Sequence, residues 1–302
     1  MIYDICIIGA GPVGIACLNE LVNNYNKNVI LIEEIQPFNS LKNYMNNMTW
    51  HSPWKVCKLE NKEFENVNRD EHPKIEQLIK KYDEFIIEKK LFDKIIIDEI
   101  LSITNENNIC KINSKYQDFY SKSVLIATGF YKYPKKITFP IINSVTYRTI
   151  KNYEHINNKR ILCIGGGFSS CDLSVKLNVL NNSIVILTHN KNKVLSNFNE
   201  QKTVWGQPDI SLKNISIQEY KNISKIENNT IYFDNIKLSF DICYIFIGYN
   251  RNYTDIKIDS SINSKVKIVS AYVVQDLYGG ICKKGTKRPK LIDGFIKLIL
   301  NV

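Results

Sequence analysis

The chain has 302 residues, of which 44% are hydrophobic and 23% are charged, and its formal net charge is +10. This length suits two domains, and this balance is typical of folded proteins that are not embedded in a membrane. The apolar runs are shorter than the roughly 18 residues that a membrane-spanning helix needs, so we expect no membrane span. The apolar start at 5–17 follows Asp4 and lacks a preceding basic segment. It therefore does not match a secretion signal, and we expect a cytoplasmic protein.

The charge and the cysteines argue against two further classes of protein. Positively charged chains include many that bind nucleic acid, but this one has no basic stripe interleaved with aromatic residues, so we expect no nucleic-acid partner. The eight cysteines lie in apolar stretches, and none are spaced as Cys-x-x-Cys. This spacing argues against a zinc knuckle and a redox dithiol. We expect buried thiols in a reducing compartment and no metal site.

The first predicted elements form a strand–turn–helix–strand unit. An apolar run of strand length at 3–8 is followed by the turn Gly9-Ala10-Gly11-Pro12-Val13-Gly14. Residues 15–22 have one apolar face, as a helix does, and a second apolar run at 29–32 ends at Glu33. This order, within about 30 residues, is the signature of a dinucleotide-binding unit.

Each glycine of this first turn has a separate task in such a unit. Gly9 permits the tight turn, Gly11 lets the backbone approach a pyrophosphate, and Gly14 lets the helix pack closely on the strand. The helix N-terminus presents free N–H groups to the phosphates. Glu33 stands at a strand end, where a carboxylate accepts hydrogen bonds from ribose hydroxyls, with Glu34 as the alternative if the register differs by one. The competing interpretation is a turn that serves packing alone.

The rest of the first half contributes a helix and two strands. Apolar residues at helical spacing predict an amphipathic helix over 74–91, which Pro73 begins. Residues 95–97 and 124–127 are predicted strands, and the second of these is followed by Thr128-Gly129.

The same order of elements then restarts. A predicted strand at 160–164 runs into Gly165-Gly166-Gly167-Phe168-Ser169-Ser170, a helix is predicted over 171–180, and a strand over 184–187. A repeated unit of this kind indicates an internal duplication. Later, an apolar run at 241–247 ends in Gly248-Tyr249, as the earlier run ends in Thr128-Gly129.

The second turn differs from the first in ways that bear on its ligand. Gly165 and Gly167 are kept, Ser170 replaces the third glycine, and Ser169 precedes it. No acid follows the next strand, where His189 and Lys191 stand instead. A carboxylate would repel a 2′-phosphate, whereas these cations attract it, so the sequence favours NADPH over NADH. The alternative is a solvated basic loop.

These motifs resemble those of flavoproteins with two nested dinucleotide-binding domains, the thioredoxin reductase-like and flavin-containing monooxygenase-like families. The opening through Gly11-Pro12 matches their FAD site, and Ala127-Thr128-Gly129 matches the crossover that ends their first FAD segment. Gly248-Tyr249 matches the return from their nicotinamide domain. Asp276 stands where their aspartate bonds the ribityl chain, although Gln275 replaces the usual glycine.

The resemblance implies an α/β fold with two Rossmann-like domains, one inserted in the other. It implies an FAD-binding domain formed by 1–136 and 251–302, interrupted by an NAD(P)H-binding domain at 137–250. FAD and NADPH are the implied cofactors, and the flavin supplies the redox chemistry.

One aromatic segment, Met48-Thr49-Trp50-His51-Ser52-Pro53-Trp54, is placed by the resemblance beside the flavin ring. Trp50 is then a candidate for stacking near the flavin, and His51 is a candidate proton donor. The alternative is a partly buried aromatic loop with a hydrogen-bonded histidine.

Departures from these families leave three functions open. The missing Cys-x-x-Cys removes the thioredoxin reductase dithiol and favours a monooxygenase-like reaction on a small molecule. The length favours a reductase that passes electrons to a disulfide, a quinone or a ferredoxin-like protein, and the positive charge suits an acidic partner. Ser170 and Gln275 leave room for a nucleotide-binding sensor or partner protein without turnover. Of these, the sequence favours the monooxygenase-like reaction, and the resemblance is compatible with a homodimer.

Overall fold

The computed structural model describes residues 1–60, 62–129, 131, 133–135, 137, 144–146, 150, 152–203, 211–249 and 255–268. For residues 144–146 only the backbone is described. Packing divides the chain into two compact units, the first formed by 1–42, 52–130 and 251–302 and the second by 43–51 and 131–250. The cofactor assigned to each predicted domain stays a prediction.

The described residues form strands and helices that alternate in the order expected of an α/β fold. The strands are β1 (Ile2–Ile8), β2 (Val29–Glu33), β3 (Ile95–Ile97), β4 (Ile100–Glu106), β5 (Ile109–Ser114), β6 (Asp118–Ile126), β7 (Ser144–Thr146), β8 (Arg160–Ile164), β9 (Ser183–Thr188), β10 (Ile215–Glu219), β11 (Ile223–Glu227), β12 (Thr230–Phe233), β13 (Ile236–Ser239), β14 (Ile242–Ile245), β15 (Lys257–Ile258) and β16 (Val266–Ile268). The α-helices are α1 (Pro12–Asn19), α2 (Asn39–Lys42), α3 (Ile75–Glu88), α4 (Phe168–Asn178) and α5 (Lys191–Thr203).

The first unit contains an eight-stranded sheet in the order β15-β4-β5-β6-β1-β2-β3, with β16 also paired to β6. Its centre is parallel, because β1 pairs in parallel with both β2 and β6. The central runs 5–8, 29–32 and 124–126 are almost entirely buried. Such continuous apolar runs are typical of parallel strands that are covered on both faces.

The long helix of the first unit confirms the prediction made from its apolar spacing. Helix α3 buries one face through Ile75, Leu78, Tyr82, Phe85 and Ile86. Helix α1 begins at Pro12 and continues into a π-helical turn at Glu20–Asn24. The sequence of residues 290–300 is compatible with a further helix, but these residues lie outside the described part of the chain.

The second unit contains a five-stranded parallel sheet in the order β10-β9-β8-β14-β7 and an antiparallel sheet of β11, β12 and β13. Leu162, Leu187, Phe233 and Phe240 pack in one core within this unit. At the amino-terminal edge of the parallel sheet, the Arg160 backbone N–H donates to the Asp241 carboxylate over 2.7 Å, and its guanidinium pairs with the same side chain at 2.8 Å. This pair joins the starts of β8 and β14.

The fold class predicted from the sequence is confirmed, since each unit contains parallel strands that begin with a strand–glycine turn–helix–strand sequence. The first is β1–α1–β2 and the second is β8–α4–β9. Among the described residues, no helix combines the length and the apolar character required to cross a membrane.

Candidate cofactor-binding site

The first glycine turn holds β1, β2 and β6 together at their carboxyl ends. The Gly9 N–H donates to the Ile32 carbonyl over 2.8 Å, and the Ala127 N–H donates to the Ile8 carbonyl over 2.7 Å. Gly9 has a φ of +105°, and a Cβ on it would lie 2.7 Å from the Ala127 carbonyl oxygen. A side chain is excluded at Gly9 by both the backbone conformation and the neighbouring chain.

The third glycine of this turn is also required by packing. A Cβ on Gly14 would lie 1.9 Å from the Gly9 carbonyl oxygen, so helix α1 approaches the turn too closely for any side chain. Pro12 is the first residue of this helix, where its fixed φ and missing N–H are tolerated. The two residues therefore fix the direction in which α1 leaves the turn.

The middle glycine is not required by the protein itself. Gly11 has extended backbone, with φ −72° and ψ 178°, and no described atom lies within 4 Å of where its Cβ would be. This open space lies at the start of α1, where backbone N–H groups point out of the helix. A pyrophosphate fits this space, because only a bare backbone permits its close approach.

Glu33 lies against this turn, as the sequence predicts. One carboxylate oxygen accepts a hydrogen bond from the Ala10 N–H over 2.6 Å. Burial raises the pKa of Glu33, while hydrogen bonds from the Ala10 and Ile35 backbones partly oppose this rise. Glu34, the alternative considered from the sequence, is exposed, and it is Glu33 that contacts the turn. The carboxylate stands where it can accept hydrogen bonds from a ribose.

The predicted crossover segment also lies at this edge of the sheet. Thr128 and Gly129 follow β6, and a Cβ on Gly9 would lie 2.9 Å from the Thr128 nitrogen. Gly129 has a φ of +70°, which favours glycine. The structure therefore brings Gly9, Thr128 and Glu33 together around one turn.

The aromatic segment is divided between the two units, with residues 48–51 in the second unit and residues 52–54 in the first. The Trp50 ring lies edge-on to Tyr44, with centroids 5.7 Å apart, and Tyr44 meets Tyr131 at the same separation. His51 is exposed and its ring centroid lies 4.9 Å from that of Trp50. A flavin-side location for Trp50 and a catalytic role for His51 stay predictions. Asp276 lies outside the described residues.

The second glycine turn repeats the construction of the first. The Gly165 N–H donates to the Leu187 carbonyl over 2.8 Å, and the Phe246 N–H donates to the Ile164 carbonyl over 2.7 Å. Gly165 has a φ of +109°, and a Cβ on it would lie 2.4 Å from the Phe246 carbonyl oxygen. The internal duplication inferred from the sequence therefore extends to individual backbone hydrogen bonds.

The remaining small residues of the second turn also lie as in the first. Gly167 precedes α4, and no described atom lies within 4 Å of where its Cβ would be. Ser169 is half-buried in the first turn of α4, and Ser170 is fully buried. Ser170 takes the helix position that Gly14 takes in α1, so a small buried side chain stands where the first turn has its third glycine.

The strand that follows the second turn ends in a hydroxyl instead of a carboxylate. Because Gly165 bonds to Leu187 as Gly9 bonds to Ile32, Thr188 stands where Glu33 stands in the first unit. A Cβ on Gly166 would lie 2.5 Å from the Thr188 hydroxyl oxygen. The strand-end carboxylate that marks the first site is absent from this position.

His189 and Lys191, which the sequence predicts to favour a 2′-phosphate, follow Thr188 and are exposed. The His189 ring lies 4.1 Å from that of Tyr220, and its Nδ1 lies 3.0 Å from the Tyr220 carbonyl oxygen. Lys191 is the first residue of α5, and its backbone N–H donates to the carboxylate of Glu219 over 2.7 Å. Glu219 was not predicted from the sequence; it ends the neighbouring strand β10 and pairs in register with Thr188.

The cysteines of the described chain are inaccessible, as predicted. The seven within it are all buried as free thiols: Cys6, Cys17, Cys57, Cys110, Cys163, Cys171 and Cys243. Burial raises the pKa of Cys17, Cys57, Cys163 and Cys171 to about 12. These thiols therefore remain protonated at neutral pH and are poor nucleophiles. Cys282 lies outside the described residues.

Comparison with known proteins gives both a family match and structural relatives. The family described as pyridine nucleotide-disulphide oxidoreductase matches residues 6–272. A curated ferredoxin–NADP reductase of Lactobacillus gasseri is 26% identical over 196 residues, which are 63% of this chain and 55% of that protein. The chain thus spans about half the length of this curated relative.

The similar solved structures include both classes of flavoprotein that the sequence resembles. Bacillithiol disulfide reductase from Staphylococcus aureus has a TM-score of 0.71 at 20% identity, covering 84% of this chain and 79% of that one. A flavin-containing monooxygenase from Stenotrophomonas maltophilia has a TM-score of 0.68 at 10% identity, covering 89% and 90%. Thioredoxin reductase from Lactococcus lactis has a TM-score of 0.61 at 17% identity, covering 99% and 100%. At such identities the likeness concerns the fold, and it confirms the resemblance stated from the sequence.

Replacement of Gly14 by alanine and replacement of Gly11 by alanine are expected to have different effects, the first on stability and the second on FAD binding. Gly14→Ala places a methyl group 1.9 Å from the Gly9 carbonyl oxygen and should destabilise the fold by about 1–3 kcal/mol. Gly11→Ala meets no described atom. It should fold normally but lose affinity for FAD. Thermal unfolding of the apoprotein and titration with FAD measure the two effects. A Gly11→Ala variant that binds FAD normally would contradict the assignment of this space to a pyrophosphate.

Proposed function

Because the chain belongs to the pyridine nucleotide-disulphide oxidoreductase family, we propose that it is a flavoprotein reductase that transfers electrons from NADPH to an acceptor. In this proposal the chain itself contributes no redox cysteine pair to the transfer. FAD and NAD(P)H are the cofactors that this family membership implies. Bound FAD supplies the redox chemistry, and the protein supplies binding and orientation.

The observation that carries this proposal is the pair of matching glycine turns with different surroundings. Both have an open position at the middle glycine, Gly11 or Gly167, but only the first has a strand-end carboxylate. We assign FAD to the first turn, where Glu33 accepts hydrogen bonds from its ribose. We assign the nicotinamide dinucleotide to the second turn, where α4 begins at Phe168.

The second turn also supports the choice of NADPH over NADH. Thr188 carries no charge to repel a 2′-phosphate, and the exposed side chains of His189, Lys191 and Lys193 follow it. Charged donors form the stronger hydrogen bonds to phosphate, so they favour the phosphorylated cofactor.

Reversal of one of these charges should discriminate between the two nicotinamide cofactors. Lys191→Glu should weaken NADPH binding about tenfold or more, because it loses a charged donor and gains a repulsion, while NADH binding changes little. Lys225→Glu is the matched control, since Lys225 is an exposed lysine on β11. Dissociation constants measured by fluorescence titration of each cofactor test this. Equal weakening of NADPH and NADH in Lys191→Glu would contradict the assigned site.

The electron acceptor is the part of the proposal that depends on the thiols and on charge. The buried, protonated thiols of the described chain are unsuited to disulfide exchange. The likeness to a ferredoxin–NADP reductase supports an acidic electron-carrier protein, which the net charge of +10 would attract. The second candidate is the monooxygenase-like reaction on a small molecule that the sequence favours, because the buried thiols of the described residues suit it equally.

Anaerobic reduction distinguishes these functions. The FAD-loaded protein is mixed with NADPH under anaerobic conditions, and bleaching of its visible absorbance is followed by stopped flow. The reduced protein is then mixed separately with ferredoxin, with a quinone and with oxygen. Rapid reoxidation by ferredoxin or quinone, with slow reoxidation by oxygen, is the expected result. Reoxidation by oxygen that requires or oxidises a small molecule would favour the second candidate, and failure to bleach would reject both.

A cysteine variant tests the claim that no thiol of the chain takes part. Cys282→Ser removes the one cysteine outside the described residues. In this variant we expect an unchanged rate of acceptor reduction, and no alkylation by iodoacetamide until the protein is unfolded. Alkylation is counted by mass spectrometry, with the wild-type protein as the control. A loss of acceptor reduction in Cys282→Ser would show that a thiol participates.

A further inference from the structure

Glu219 places a carboxylate at the edge of the sheet where the sequence predicts His189 and Lys191. It is the last residue of β10, it is exposed, and it pairs in register with Thr188 at the end of β9. Its carboxylate accepts a hydrogen bond of 2.7 Å from the backbone N–H of Lys191. The negative charge is therefore held at the first residue of α5.

The start of α5 is also where the positive end of a helix attracts an anion. Asn190 satisfies a second N–H there, because its side-chain oxygen accepts from the Lys193 backbone over 2.9 Å. Glu219 and Asn190 thus occupy N–H groups that a phosphate would otherwise use. Because these backbone N–H groups already have partners, a phosphate at this edge would be attracted mainly by side chains such as that of Lys191.

A 2′-phosphate held by Lys191 would lie beside the Glu219 carboxylate. The N–H bonded to Glu219 and the side chain assigned to the phosphate both belong to Lys191, so the two anions would be separated by no more than about the length of one lysine side chain. Salt screens such a repulsion only partly, because the Debye length at physiological ionic strength is about 8 Å. The phosphate must therefore tolerate the carboxylate or displace it from the Lys191 N–H.

We propose that Glu219 is a specificity-determining residue, whose carboxylate stands in for a phosphate at the start of α5 and limits the preference of the protein for the 2′-phosphorylated cofactor. This inference rests on the proposed function, in which the second unit holds NADPH. It assigns to a strand outside the β8–α4–β9 unit a direct effect on the choice of cofactor.

Glu219→Gln tests this proposal without removing the hydrogen bond to α5. The glutamine side chain keeps an oxygen that accepts from the Lys191 N–H, so only the charge is lost. Glu227→Gln is the matched control, because it removes an equal charge from an exposed residue of β11 in the same unit. The probes are adenosine 2′,5′-bisphosphate and AMP, whose binding is measured by isothermal titration calorimetry. They report on the adenosine site independently of turnover.

In Glu219→Gln we expect the 2′,5′-bisphosphate to bind about fivefold more tightly than in the wild type, while Glu227→Gln binds it as the wild type does. Unchanged or weaker binding of the bisphosphate in Glu219→Gln would overturn the inference, as would an equal gain in Glu227→Gln. A wild-type protein that binds neither probe would reject the proposed nicotinamide site itself, and this inference with it. The two failures are thus distinguished by whether the wild type binds at all.

Discussion

The close approach of one glycine to a neighbouring parallel strand governs both units of this protein. The N–H of Gly9 and that of Gly165 each donate over 2.8 Å to the carbonyl of the penultimate residue of the adjacent strand. In this position each glycine has a positive φ. A carbonyl oxygen at the end of a third strand also lies close to where its Cβ would be. Only glycine tolerates this combination. The constraint turns the chain sharply into a helix, so that the helix N-terminus opens at the carboxyl edge of the sheet.

The side chains around the two glycine turns differ, and the different cofactors proposed for the two turns rest on that difference. In the first unit the Glu33 carboxylate bonds to the turn itself at Ala10. In the second unit Thr188 takes that position, and the nearby carboxylate comes from Glu219 on another strand and bonds to α5. The same backbone framework therefore carries its acid at two different places. Under the proposed assignment, ribose recognition and phosphate discrimination depend on these side chains more than on the framework.

Burial of the thiols limits the chemistry that the described chain itself can perform. Transfer into an apolar interior raises the pKa of a thiol, so that it neither ionises nor attacks a disulfide at neutral pH. Cys163 and Cys171 lie in the second unit and illustrate this, because both are buried and both have a pKa raised to about 12. Together with membership of an oxidoreductase family, these unreactive thiols support the proposal that the electron acceptor is a separate molecule.

Local sequence was enough to predict the features that depend on residues near one another in the chain. The two glycine turns, Glu33 and helix α3 were all predictable, because a turn conformation, a strand end and an apolar helix face are local properties. The folded structure was needed to show that residues 43–51 pack with the second unit, and that Glu219 lies beside Lys191. Both depend on contacts between segments that are distant in the chain. The pairing of β9 with β10, which places Glu219 beside Thr188, cannot be predicted from the residues near Glu219 in the sequence.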